Sequence, residues 1–155
     1  MNLNVRKLCA EEVFKLSHLY DEPSNPSFME KRKEKIVNRI QDVYVLENEY
    51  NIIGEVTIVY QDDHEGFTIK GQRVYMEALR IDKSMHDKGY GQYFIIAVNE
   101  KIKNEGYQEI TIGVEDDNLN AKHIYNKLGF TEFVSREQMY KYAPKGYDVW
   151  MKRLI

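Results

Sequence analysis

Apolar positions along this chain recur at two spacings, and the changes of spacing mark its elements. Alternation over "LNVRKL" (3–8) predicts a short strand, and "EEVFKLSHLY" (11–20) sets Val13, Leu16 and Leu19 at helical spacing. "DEPSNP" (21–26) then breaks the chain. Ser27 with Glu30 has the spacing of a capping box, which predicts a second helix with Met29, Ile36 and Ile40 inward. "DVYVLEN" (42–48) and "NIIGEVTIVYQ" (51–61) read as strands joined by a tight turn around Glu49 to Asn51.

"RVYMEALRI" (73–81) carries apolar residues on both alternating faces, the pattern of a central strand covered above and below. "QYFIIAVNEKIKNEG" (92–106) predicts a helix with Phe94, Ala97, Val98 and Ile102 inward and Gly106 as its left-handed terminator. A strand "QEITIGV" (108–114) and a helix "NLNAKHIYNKL" (118–128) follow, then strands "GFTEFVS" (129–135) and "YDVWMKRL" (147–154). The order β-α-α-β-β-β-α-β-α-β-β predicts an α/β fold, one mixed sheet of about seven strands with helices on both faces. The unit from Val74 to Val114 should be a right-handed crossover.

At 155 residues this is expected to be a single domain, 1–155. The net charge of −3, with signs interspersed, gives no extended positive field for nucleic acid. The basic run "EKRKEKIVNR" (30–39) alternates in sign and reads as a solvated helix face. "MNLNVRKLCAEEVF" lacks an apolar targeting core and "YFIIAV" (93–98) is too short to span a membrane, so the cytoplasm is the expected location. Cys9, at a strand-to-helix junction without an activating neighbour, reads as a buried structural thiol. His18, His64, His86 and His123 show no ligand spacing, and no metal is expected.

Chemistry concentrates at "MHDKGYGQYF" (85–94), two glycines between a strand and a helix. It is not the G-x-x-x-x-G-K-[ST] loop, and it fails the G-x-G-x-x-G fingerprint because Phe94 stands at the third position after Gly91. Two readings stay open: Gly89 and Gly91 serve a tight turn, or the backbone N–H groups from Lys88 to Gly91 form an anion-binding concavity at a helix N-terminus.

The strand–"HDKGYG"–helix unit resembles the acyl-CoA signature of the GNAT superfamily of N-acetyltransferases, R/Q-x-x-G-x-G/A. "VEDDNLNAKHIYNKLGF" (114–130) is similar to the second pattern of that family, N-x-x-A-x-x-x-Y-x-x-x-G-F, at Asn118, Ala121, Tyr125, Gly129 and Phe130. The resemblance implies that the strand bearing Glu77 to Ile81 splays from "QEITIGV" to admit the pantetheine arm of acetyl-CoA. His86, Asp87, Lys88, Gly89, Tyr90, Gly91 and Gln92 would then receive the pyrophosphate, and Leu79, Arg80, Ile81, Asn118, Ala121 and Tyr125 the rest of the cofactor. It further implies direct transfer of the acetyl group to a primary amine without an acyl-enzyme, and a homodimer.

Within that implied reaction Tyr125 is the acid toward the departing sulfur and Glu77 the base. The same residues admit plainer roles. Tyr125 is one of twelve tyrosines, most of which pack. Glu77 can be a structural carboxylate paired with Arg80, a lysine or backbone, and Asn118 a helix cap. Burial of Glu77 in an apolar strand should raise its pKa and improve it as a base. His86 stands where the family pattern has Arg or Gln, so cofactor binding should weaken as pH rises. The competing class is an acyl-CoA-binding module without turnover, and the third an interaction protein. The acceptor is expected among Asp21 to Asn25, Asp62 to Gly66 and "REQMYKYAPKGY" (136–147), whose tyrosines and nearby acids suit a small cationic amine.

Overall fold

The computed structural model describes residues 2–20, 25–62, 66–133 and 147–155. Seven strands form one sheet in the order β1-β2-β3-β4-β5-β7-β6. They are β1 (Asn4–Lys7), β2 (Gln41–Glu47), β3 (Ile52–Val59), β4 (Arg73–Ile81), β5 (Glu109–Glu115), β6 (Thr131–Glu132) and β7 (Tyr147–Arg153). Every neighbouring pair is antiparallel except β4 and β5. That parallel pair is joined by helix α2 (Tyr90–Asn104), as parallel strands require a crossover.

Alternation along β2 sorts the core into two layers. Tyr44 and Leu46 join α2 residues Phe94, Val98 and Ile102 on one face, with Val74, Met76 and Ile112 from the central strands. Val43 and Val45 join Val13, Leu16 and Met29 on the other. Helix α2 therefore covers one face, while the segment Ala10–Leu19 and helix α1 (Pro26–Val37) cover the other. Helix α3 (Leu119–Lys127) packs Ala121 and Tyr125 against the α2 layer.

The structure corrects several local expectations. Ala10–Leu19 is a 3-10 helix, whose three residues per turn bring Val13, Leu16 and Leu19 onto a single line. Helix α1 is capped by Asn25, whose side chain accepts from the Ser27 N–H at 2.9 Å, with Pro26 in the first turn. The box from Ser27 to Glu30 is thus displaced, and Ile40 lies beyond the helix end. Arg32, in the run expected to be solvated, is only 5% exposed. Cys9 is exposed, because the cap position of the 3-10 helix turns its side chain outward. Among the described residues no helix is long and apolar enough to cross a membrane.

Candidate active site

Strands β4 and β5 pair only from Arg73–Glu109 to Met76–Ile112. Beyond that point β5 stays with β7 as far as Glu115, whereas β4 stays with β3, so the two central strands part. A bulge accompanies the parting: Thr57 pairs with Glu77 and Glu55 with Arg80, leaving Ala78 and Leu79 opposite Val56 alone. Ala78 is in the left-handed region at φ 58°, a conformation that costs an L-residue about 1–2 kcal/mol. The Asp82 N–H donates to the Ile53 carbonyl at 2.7 Å, toward β3. By alternation the N–H groups of Ile81 and Leu79 point the other way, to the side that β5 has left. A cavity of about 250 Å³ opens there, lined by Met76, Glu77, Leu79, Gly113 and Tyr125.

Local sequence places Tyr125. Asn118 caps α3 by accepting from the Ala121 N–H at 3.1 Å, the plainer of its two expected roles. At the other end Gly129 adopts φ 91°, the Phe130 N–H donates to the Tyr125 carbonyl at 2.9 Å, and the Gly129 N–H donates to the Asn126 carbonyl at 3.0 Å. This is a Schellman motif, completed by contact of the Tyr125 and Phe130 rings at 5.9 Å. The spacing Tyr-x-x-x-Gly-Phe therefore encodes a helix stop that also locks the phenol in place. Burial raises the Tyr125 pKa above that of an ordinary phenol.

The glycine turn enters α2 two residues earlier than expected. Gly89 is the cap residue at φ 77°, and Asp87 is also left-handed at φ 60°, which Asp tolerates better than most side chains. The first intrahelical donor is the Tyr93 N–H, to the Gly89 carbonyl at 3.1 Å, so the amides of Gly91 and Gln92 have no intrahelical acceptor. A Cβ on Gly91 would meet only Ile81 Cγ1, at 4.0 Å. Packing within the protein therefore does not demand glycine there. His86 donates from Nε2 to the Ile81 carbonyl at 2.7 Å, since a carbonyl only accepts, and this ties the turn to the end of β4.

Glu77 stands where both sides of β4 can be reached. It is solvent-exposed, not enclosed, yet the surrounding protein desolvates its carboxylate enough to raise its pKa, with Asp62 adding to the rise and Lys35, Arg32 and Arg80 opposing it. Among the described residues no hydrogen bond or ion pair holds that carboxylate. Arg80, considered as its partner and as a cofactor contact, turns to the α1 side instead, 3.3 Å from Glu55 and over the Tyr20 ring at 4.4 Å. Glu55 is fully buried against Arg32 at 2.6 Å, and Arg32 also donates to Thr57 at 3.1 Å and to Tyr20 at 2.6 Å.

Residues 10–130 match the family model described as "Acetyltransferase (GNAT) family". The chain belongs to the GNAT family. N-alpha-acetyltransferase 30 of Schizosaccharomyces pombe is 35% identical over 98 residues, 63% of this chain and 61% of that protein. The human N-acetyltransferase 8B is 25% identical over 87 residues, 56% of this chain and 37% of that protein. The chain thus spans less than two thirds of the length of either relative. Among solved structures, a chimera of the Vibrio cholerae spermidine N-acetyltransferase SpeG superposes with a TM-score of 0.75 at 18% identity, covering 99% of this chain and 96% of that one. The PaiA N-acetyltransferase of Thermoplasma acidophilum in complex with coenzyme A gives 0.69 at 16% identity, covering 99% and 100%. At such identities these two report a shared fold.

For this GNAT protein the residues picked from sequence gather around the parted strands. Glu77, Leu79 and Tyr125 share one cavity, and Ile81 meets the turn through His86 and Gly91. Arg80 is the member the structure turns away from that cavity. The sequence reading missed the Arg32–Glu55 pair, although Glu55 stands in apolar β3 as Glu77 stands in β4. Of the expected acceptor segments, 21–25, 62–66 and 136–147, residues 21–24, 63–65 and 136–146 lie outside the described residues.

Proposed function

We propose that the whole chain acts as one GNAT domain that transfers the acetyl group of acetyl-CoA to a primary amine. The observation that carries this reading is the opening between β4 and β5, with Tyr125 on its far wall and Glu77 at its mouth. The turn suits a diphosphate: amides without an intrahelical acceptor at Gly91 and Gln92, Lys88 beside them, and room where a Cβ at Gly91 would project. Acetyl-CoA supplies an activated acyl group as a thioester.

Each remaining task falls to a residue of this chain. The Leu79 or Ile81 N–H donates to the reacting carbonyl, in the manner of an oxyanion hole. Glu77 takes the proton that the amine must lose, and a raised pKa makes it a stronger base than an ordinary carboxylate. Tyr125 faces the departing sulfur. With reference pKa values near 10 and 8.5, full transfer of its proton to a thiolate is uphill by about 2 kcal/mol, and burial widens that gap. Tyr125 therefore donates a hydrogen bond to the leaving group and retains its proton. Direct attack needs no protein nucleophile, and Cys9 lies outside this cavity.

The test is thiol release from acetyl-CoA with a panel of amines, run beside calorimetric titration of coenzyme A. Turnover with at least one amine supports the reading. Binding of coenzyme A without turnover across polyamines, amino acids and peptides favours the acyl-CoA-binding module.

A further inference from the structure

On the α1 side of β4 lies a second cavity, of about 170 Å³, and Glu77 and Ala78 line this one as well as the cavity containing Tyr125. An acceptor seated here would approach Glu77 from the face opposite the phenol. Three observations define what this cavity would hold.

The first is charge. Lys31 and Lys35 stand one turn apart on α1 and line the cavity, and among the described residues neither ammonium has a carboxylate partner. Among the described residues Glu77 is the one acid lining the cavity, and it makes no ion pair, lying within the influence of Lys35, Arg32 and Arg80 together; Glu55, outside the lining, is engaged by the same two guanidiniums. The second observation is a polar side chain: Gln41, 4% exposed, lines the cavity, and among the described residues no hydrogen bond occupies its carboxamide. Its amide N–H groups are therefore available to donate to a bound carboxylate. The third is rigidity. Arg32 fixes α1 to β3 through Glu55 and Thr57, so the two lysines project from an anchored helix.

We propose that the acceptor is a primary amine carrying a carboxylate close to its nitrogen, with the nitrogen at Glu77 and the carboxylate between Lys31 and Lys35 above the Gln41 amide. This rests on the acetyl-transfer reading and names its substrate class. The nitrogen bonds to the thioester carbon, the carbon–sulfur bond breaks, the amine proton goes to Glu77, and the sulfur leaves as the coenzyme A thiolate. The product is an N-acetylated amino acid or its counterpart at a polypeptide end. A polyamine would set its cations against both lysines, contrary to the small cationic amine expected from sequence.

The experiment measures thiol release with matched acceptors: a free amino acid, its carboxamide, the amine lacking the carboxyl group, a peptide beginning with Asp or Glu, and spermidine. The expected result is a kcat/KM about tenfold higher for the acid than for its amide. In Lys31→Gln/Lys35→Gln that advantage should vanish through KM, and in Lys31→Glu/Lys35→Glu the order should reverse toward spermidine. Preference for the acidic peptide over the free amino acid supports the same recognition and assigns the carboxylate to a polypeptide. An amide as good as its acid, or an advantage undiminished in the double glutamine variant, overturns the proposal. Should no amine release thiol, the transferase reading fails separately, and calorimetric titration of the free amino acid decides the cavity: binding lost in the glutamine variant upholds it, no binding overturns it.

Discussion

Replacing Arg32 with methionine removes one partner of an ion pair that water scarcely reaches. Glu55 is fully buried, Arg32 is 5% exposed, and the two are 2.6 Å apart. Without the guanidinium, Glu55 keeps Arg80, at 3.3 Å with a side chain 36% exposed, and the Tyr20 hydroxyl, while Thr57 loses its donor. Deleting one partner of a buried pair costs about 3–5 kcal/mol, and the surviving Arg80 places the loss near the lower figure. For a chain of this length each kcal/mol moves the melting temperature by about 2–4 °C, so Arg32→Met should melt roughly 6–12 °C below wild type. Removing both charges in Arg32→Met/Glu55→Met should recover much of the loss, with a coupling of about 2 kcal/mol in the double-mutant cycle. The assay is thermal and urea unfolding of wild type, both single variants and the double variant at neutral pH. A loss below about 1 kcal/mol in Arg32→Met, or a double variant no more stable than that single one, would refute the argument from burial.

Three further outcomes follow from the site. Tyr125→Phe should lower kcat by about a hundredfold while titration with coenzyme A stays within about twofold of wild type; a kcat near wild type removes the phenol from the chemistry. In the wild type, kcat/KM should fall on the acid side as the Glu77 carboxylate gains its proton, with a midpoint above the ordinary carboxylate value because the surrounding protein partly desolvates it and Asp62 adds to the rise. Glu77→Gln should abolish that limb, and an unchanged pH profile would exclude Glu77 as the base. Gly91→Ala should leave stability equal or up to about 1 kcal/mol higher, since the added methyl meets nothing closer than 4.0 Å, yet raise the KM for acetyl-CoA several-fold. An unaltered KM would show that no ligand approaches there.

Sequence alone determined the element order and the local devices, because both depend on residues near one another in the chain. Periodicity located all seven strands, and the stop of α3 is written in Tyr125, Gly129 and Phe130, whose hydrogen bonds close within five residues. The cap at Asn118 belongs to the same class. Gly89 read as part of a tight turn, and the turn it makes is left-handed, a region few other residues adopt. Tertiary structure decided where β4 leaves β5, which face Arg80 takes, and that Arg32 in a basic helical run is buried. These outcomes depend on pairings across the chain: Arg32 meets Glu55 over 23 positions, and Ala78 is left-handed only because β3 and β4 are out of step there. Hydrophobic spacing reports which side of an element is covered, and it carries no record of which distant charge will be enclosed with it.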